Sequence, residues 1–227
     1  MISTWKAPLP NGKASEELLV SFDEGRAVRI LVLPAWFDEA NKLRRFTVEV
    51  MRRLDGSGID CFMPDLPGCN ESLAPLDEQS ITGWRAATIA ASKELRATHV
   101  LSVRAGALIA PTDLSGWRYA PQSGPKQLRA MIRARTIAAR EQGTEESSDQ
   151  LLELGRKDGL DLAGWPIGPA MFHELETAEP EPSETQVDIA QNTLGGPGLW
   201  LRAEPGENAA QADALAAIIA LAVSDKT

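Results

Sequence analysis

Apolar residues along this chain fall into two alternating kinds of run. The stretch from Val28 to Leu33 is almost continuously apolar and is stopped by Pro34, the pattern of a strand buried on both faces of a mainly parallel sheet. Leu43, Phe46, Val50 and Leu54 then recur at three- and four-residue spacing, with Arg44, Arg45, Arg52 and Arg53 off that stripe and Gly56 and Gly58 closing the segment. This predicts an amphipathic helix over 40–55. A second strand is predicted over 59–64, a second helix over 81–97 and a third strand over 99–103. Strand and helix alternate, which predicts a parallel, doubly wound sheet with right-handed crossovers. Beyond Gly106 the pattern loosens. Trp117 to Pro121 reads as a short strand, and 126–141 as a helix carrying Leu128, Met131, Ile132 and Ala139 on its apolar stripe. The Glu- and Pro-rich stretch from Glu176 to Glu184 reads as an exposed connection. Val187 to Ile189 and Leu199 to Leu201 are the remaining strand candidates, and a final helix over 208–223 packs through Leu215, Ile218, Ile219 and Ala222.

At 227 residues and 43% hydrophobic, the chain can bury one sizeable core and is expected to form one domain over 1–227, with a cap or insertion at about 113–182. Its formal charge of −9 argues against nucleic-acid or anionic-membrane partners, which draw their affinity from clustered Lys and Arg. No apolar run resembles a signal peptide or is long enough to span a bilayer, so a cytoplasmic protein without membrane insertion is expected. Cys61 and Cys69 imply no disulfide framework and are expected to be reduced. With only His99 and His173 as imidazoles, no metal-ligand spacing is present, and neither a metal nor another cofactor is expected.

The segment from Val100 to Leu108 combines an apolar strand, Ser102 and Gly106 two residues either side of a turn, and an apolar helix start. These are the requirements of the G-x-S-x-G nucleophile elbow of α/β-hydrolases. Its centre is Arg104, and a guanidinium stays protonated and cannot attack a carbonyl. Ligands of such sheets bind outside the carboxyl ends of the strands. Trp36 and Phe37 follow the first predicted strand, where a hydrolase has its oxyanion loop. After the second comes Asp65-Leu66-Pro67-Gly68-Cys69-Asn70-Glu71-Ser72, similar to the D-x-x-G-x-G-x-S turn of many α/β-hydrolases. Together with Pro34 to Arg45, Tyr119 to Gly124 and Leu162 to Ala170, this segment resembles the exosortase A system-associated hydrolases of the second type. These are an α/β-hydrolase-like family associated with bacterial exopolysaccharide and protein-sorting loci. The resemblance spans roughly residues 27–170 and implies a three-layer α/β-hydrolase-like fold with a mainly parallel sheet, shortened and with a helical insertion after the elbow. It also implies a family that tends to lack the ordinary elbow serine.

The base of a working triad follows the last core strand, but no histidine occurs after His173. Arg104 has two readings: it receives a carboxylate or phosphate at the turn, or it fills the former active site by pairing with Asp65 or Glu71. The ligand-binding candidates are Trp36, Phe37, Asp65, Glu71 and Arg104, and the least unlikely catalytic groups are Cys69, Ser102 and His173. Lys126, Arg129, Arg133 and Arg140 read as an ordinary exposed helix face. The expected function is a catalytically degenerate hydrolase-like protein with a binding or assembly role. A small anionic ligand, a protein partner or a second copy of the chain could be the partner. The alternative is an ester or thioester hydrolase with an unorthodox nucleophile.

Overall fold

The computed structural model describes residues 1–224. Two N-terminal strands, β1 (Ile2–Pro8) and β2 (Ala14–Phe22), form an antiparallel hairpin. There follow β3 (Arg29–Leu33), α1 (Phe37–Gly56), β4 (Asp60–Pro64), α2 (Ile81–Glu94) and β5 (His99–Val103). A 3-10 turn, Arg104–Ile109, leads to β6 (Ser115–Tyr119). The chain then makes an excursion through α3 (Gly124–Glu141), α4 (Ser148–Asp158), the small hairpin of β7 (Leu160–Leu162) and β8 (Trp165–Ile167), and α5 (Pro169–Leu175). It returns through β9 (Gln186–Ile189), a short α6 (Gln191–Leu194), a 3-10 turn at Leu199–Leu201 and α7 (Ala209–Ser224).

The main sheet has the order β1-β2-β4-β3-β5-β6-β9. β2 runs antiparallel to β4, and from β4 to β9 every neighbouring pair is parallel. The order follows from burial. β3 and β4 are buried at every position and take the middle of the sheet, whereas β1 and β2 alternate buried and open positions and lie at the edge. That hairpin is absent from the expected elements, because Lys6, Glu16 and Glu17 interrupt its apolar positions. Leu199–Leu201, expected as a strand, is instead a 3-10 turn: Gly195 and Gly196 adopt left-handed backbone just before it, and Leu201 is exposed. β6, which falls inside the expected 113–182 insertion, is a sheet strand.

Two cores sandwich the sheet. On one face α1 and α7 pack Leu43, Phe46, Val50 and Leu54 against Leu215 and Ile219. On the other, Ile81, Trp84 and Ala87 of α2 join Leu128, Met131, Leu162 and Phe172 of the excursion in one cluster. The excursion is thus tied into the same core and lies over the strands' carboxyl ends. At the opposite end of the sheet, fully buried Asp60 joins Arg29 at 3.0 Å and Arg26 at 3.2 Å, while Arg29 also holds Asp23 at 2.8 Å. Among the described residues no helix is long and apolar enough to cross a membrane.

Candidate functional site

The chain turns sharply where β5 ends. Arg104 takes a left-handed backbone, φ 54°, and the 3-10 turn starts at once. Non-glycine residues rarely adopt this conformation, so the surroundings must hold it. Gly106 permits the turn to lie against β3: a Cβ there would come within 2.5 Å of the Leu33 carbonyl oxygen and 2.7 Å of that of Pro34. The elbow expected from the sequence is therefore present, with arginine at its apex, but it leads into six residues of 3-10 structure and not a full helix.

The Arg104 guanidinium is enclosed. Its Nε and Nη2 donate to the two carboxylate oxygens of Glu39 at 2.9 and 3.0 Å, Nη1 donates to the Ala120 carbonyl at 2.9 Å, and Nη2 also meets Gln122 Oε1. Four of its five N–H groups are used. Its flat face lies 4.0 Å from the centre of the Trp200 ring, a cation–π contact. Gln122 is itself fixed by a 3.0 Å bond from its Nε2 to Gln127 Oε1. Burial pushes the Glu39 carboxyl up from its ordinary pKa, and the charge and hydrogen bonds of Arg104 oppose that rise.

This corrects the expected partners of Arg104. Asp65 is buried but faces Arg44, 3.1 Å from its Nη1, and its carbonyl accepts from Trp5 Nε1. Glu71 is exposed on the loop. The turn carrying both follows β4, which is separated from β5 by β3, so the first turn of α1, directly after β3, reaches Arg104 instead.

The three catalytic candidates are scattered. Ser102 is wholly buried, and its Oγ has no hydrogen-bond partner among the described residues. Cys69 has its thiol pushed up by burial, with Asp65 and Glu17 adding to the rise, so no thiolate is favoured. His173 stands on α5 with its side chain 59% exposed, 3.8 Å from Glu176. Trp36 is buried edge-on against Trp84 at 4.9 Å, and Phe37, also in left-handed backbone, packs against Trp165 at 5.6 Å.

Above Arg104 a cleft of about 920 Å³ opens between the first turn of α1, α3, the β7–β8 hairpin and Trp200. Phe37, Met131, Leu162, Trp165 and Trp200 form its apolar wall, and Lys42, Lys126 and Arg133 bring cations to it. Ser102, Cys69 and His173 do not line it. Sequence reasoning missed Glu39 and Gln122 and assigned Lys126 and Arg133 to an ordinary exposed face. The available signal was the second stripe of α3, where Lys126, Ala130, Arg133, Ala134 and Ile137 recur at helical spacing and line the cleft.

Comparison with solved structures gives the architecture its name: the chain has the α/β-hydrolase fold. It matches alpha/beta hydrolase domain-containing protein 10 from mouse at TM-score 0.56 and 13% identity, covering 100% of both chains. A bromoperoxidase from Bacillus anthracis matches at 0.54 and 10%, over 98% of this chain and 100% of that one. A putative hydrolase from Agrobacterium vitis S4 matches at 0.51 and 16%, over 99% and 98%. No protein-family model matches the chain, and no curated protein matches it.

Proposed function

We propose that this chain is a catalytically degenerate α/β-hydrolase-fold protein whose cleft binds a ligand. One observation carries the reading: the apex of the elbow holds a guanidinium bound by Glu39, Ala120 and Gln122 and covered by Trp200. A hydrolase needs a nucleophile at this point and an imidazole within reach of it. Here the segment after the last sheet strand supplies Trp200 to the elbow, and the chain has no histidine beyond His173. The atoms that would carry acyl transfer are replaced by a neutralised ion pair, while the cleft beside it stays open. The resemblance of Pro34–Arg45, Asp65–Ser72, Tyr119–Gly124 and Leu162–Ala170 to the exosortase-associated hydrolases supports a role in a bacterial exopolysaccharide system.

A panel of short-chain nitrophenyl esters and thioesters, assayed with the intact chain and with Arg104→Ala and Cys69→Ala variants, tests the catalytic part. The expected result is no turnover above buffer for any of the three. Turnover by the intact chain that Cys69→Ala abolishes would establish the hydrolase alternative. Deleting the gene in its own host is expected to lower exported polysaccharide and re-expression to restore it; unchanged polysaccharide would remove the exopolysaccharide link.

A further inference from the structure

The charge of the cleft runs against that of the molecule. The whole chain carries −9, yet Lys42, Arg104, Lys126 and Arg133 line the cleft against only Asp38 and Glu39. Two of these cations are already matched, Lys42 by Asp38 at 2.7 Å and Arg104 by Glu39 at 2.9 Å. Lys126 and Arg133 have no carboxylate partner among the described residues. They stand two turns apart on the cleft-facing stripe of α3, with Ala130 between them. Small side chains at Ala130 and Ala134 leave room above the helix, and Ile137 and Leu201 extend the apolar wall to the rim, 49% and 73% exposed.

We propose that the cleft receives an amphiphilic anion, an acyl or aryl body bearing a carboxylate or phosphate, with Lys126 and Arg133 taking the head group. The proposal rests on the binding reading above and names its ligand class. A hydrated inorganic anion would satisfy the cations but leave the open apolar lining of Ile137, Trp165, Trp200 and Leu201 wet, and a neutral apolar molecule would leave both cations unmatched. Only a ligand with both parts uses the whole site. In this acidic molecule a locally positive cleft also favours anions over cations at the encounter step, because low-dielectric walls focus the field. Arg104 is not the receiver; with most of its donors committed, it forms the floor.

The test is calorimetric titration of the full chain with decanoate and decyl phosphate, with decyltrimethylammonium and inorganic phosphate for comparison, all below micellar concentrations. Both amphiphilic anions are expected to bind one per chain, at least tenfold tighter than decyltrimethylammonium. Affinity should rise about three- to fourfold per methylene as shorter carboxylates are lengthened, the increment of a buried CH₂. A Lys126→Ala/Arg133→Ala variant, altered only at exposed positions, should lose that anion preference. Arg129→Ala, on the same helix but outside the cleft, should keep it. Inorganic phosphate binding as tightly as decyl phosphate, equal binding of the cationic amphiphile, equal loss with Arg129→Ala, or no binding of either anion would each overturn the proposal. Ester turnover lost in Cys69→Ala, with decanoate binding intact, would sink the degenerate reading and leave the ligand class standing.

Discussion

Arg104 occupies a half-closed place in which Glu39, Ala120 and Gln122 are all arranged to accept its hydrogen bonds. With Arg104 and Glu39 side chains 13% and 14% exposed, the pair is drier than a surface ion pair but not sealed. Removing one partner of a buried pair costs about 3–5 kcal/mol, so Glu39→Ala is expected to lower stability by about 2–3 kcal/mol after discounting for residual solvent. Arg104→Met with Glu39→Leu should lose less than the two single changes summed, which a double-mutant cycle of denaturant midpoints reads directly. The pH dependence has two opposing parts. Burial raises the Glu39 pKa in the folded state, so its contribution favours folding at low pH and is lost as pH rises through that raised value. Asp23 is held down to about 2, chiefly by its hydrogen bond to Arg29; its contribution is present above the ordinary carboxylate range and is lost as pH falls toward 2. Asp23→Asn is therefore expected to flatten the fall in thermal midpoint between about pH 4 and 2. The sequence revealed Arg104 as the central residue but not its partner, since strand order decides which loop lies beside the elbow and strand order is a long-range property.

The elements that were legible are those with one dominant period. β3, β4 and β5 read as strands because both their faces are buried, and α1 and α7 read as helices because one stripe packs on the sheet. β1 and β2 were hidden by charged residues, and one of these, Glu17, is itself buried: its Oε1 accepts a 2.8 Å bond from Ser72 Oγ. α3 was legible as a helix but only half legible as a surface. Its core stripe stood out through Leu128, Met131 and Ile132, whereas the cleft stripe mixes Lys, Ala, Arg and Ile and matches no simple pattern. The junction of β5 with the following turn depends on Gly106. Adding a methyl group there meets the backbone of Leu33 and Pro34, not a side chain that can swing aside. Gly106→Ala is expected to cost about 1–3 kcal/mol, the range for overpacking, and to open the cleft floor. A drop in denaturation midpoint, with an increased fluorescence change at Trp200 on urea addition below the midpoint, would register both effects.

At the scale of the molecule, the fold alone does not decide the reaction. The chain aligns nearly end to end with α/β-hydrolase-fold structures of mouse and bacterial origin, yet the arginine at the turn after β5 belongs to an ion pair with Glu39. If the scaffold has lost only its reacting groups, restoring them should restore some chemistry. Arg104→Ser with Glu39→Gln removes the ion pair without leaving a buried charge and places a hydroxyl at the apex. It is expected to fold and to remain inactive on nitrophenyl esters, because no imidazole faces it. Adding Trp200→His puts a general base where the Trp200 ring now lies 4.0 Å from the guanidinium. The triple variant is expected to hydrolyse nitrophenyl butyrate about ten- to a hundredfold faster than the double variant, at or below the lower end of what a positioned base supplies. Burst kinetics would show the acyl-enzyme. A triple variant as inert as the double would mean that the loss reaches further, to the backbone around Trp36 and Phe37 where an oxyanion would have to be held. The left-handed turn at Phe37, packed against Trp165, would then be the next position to restore.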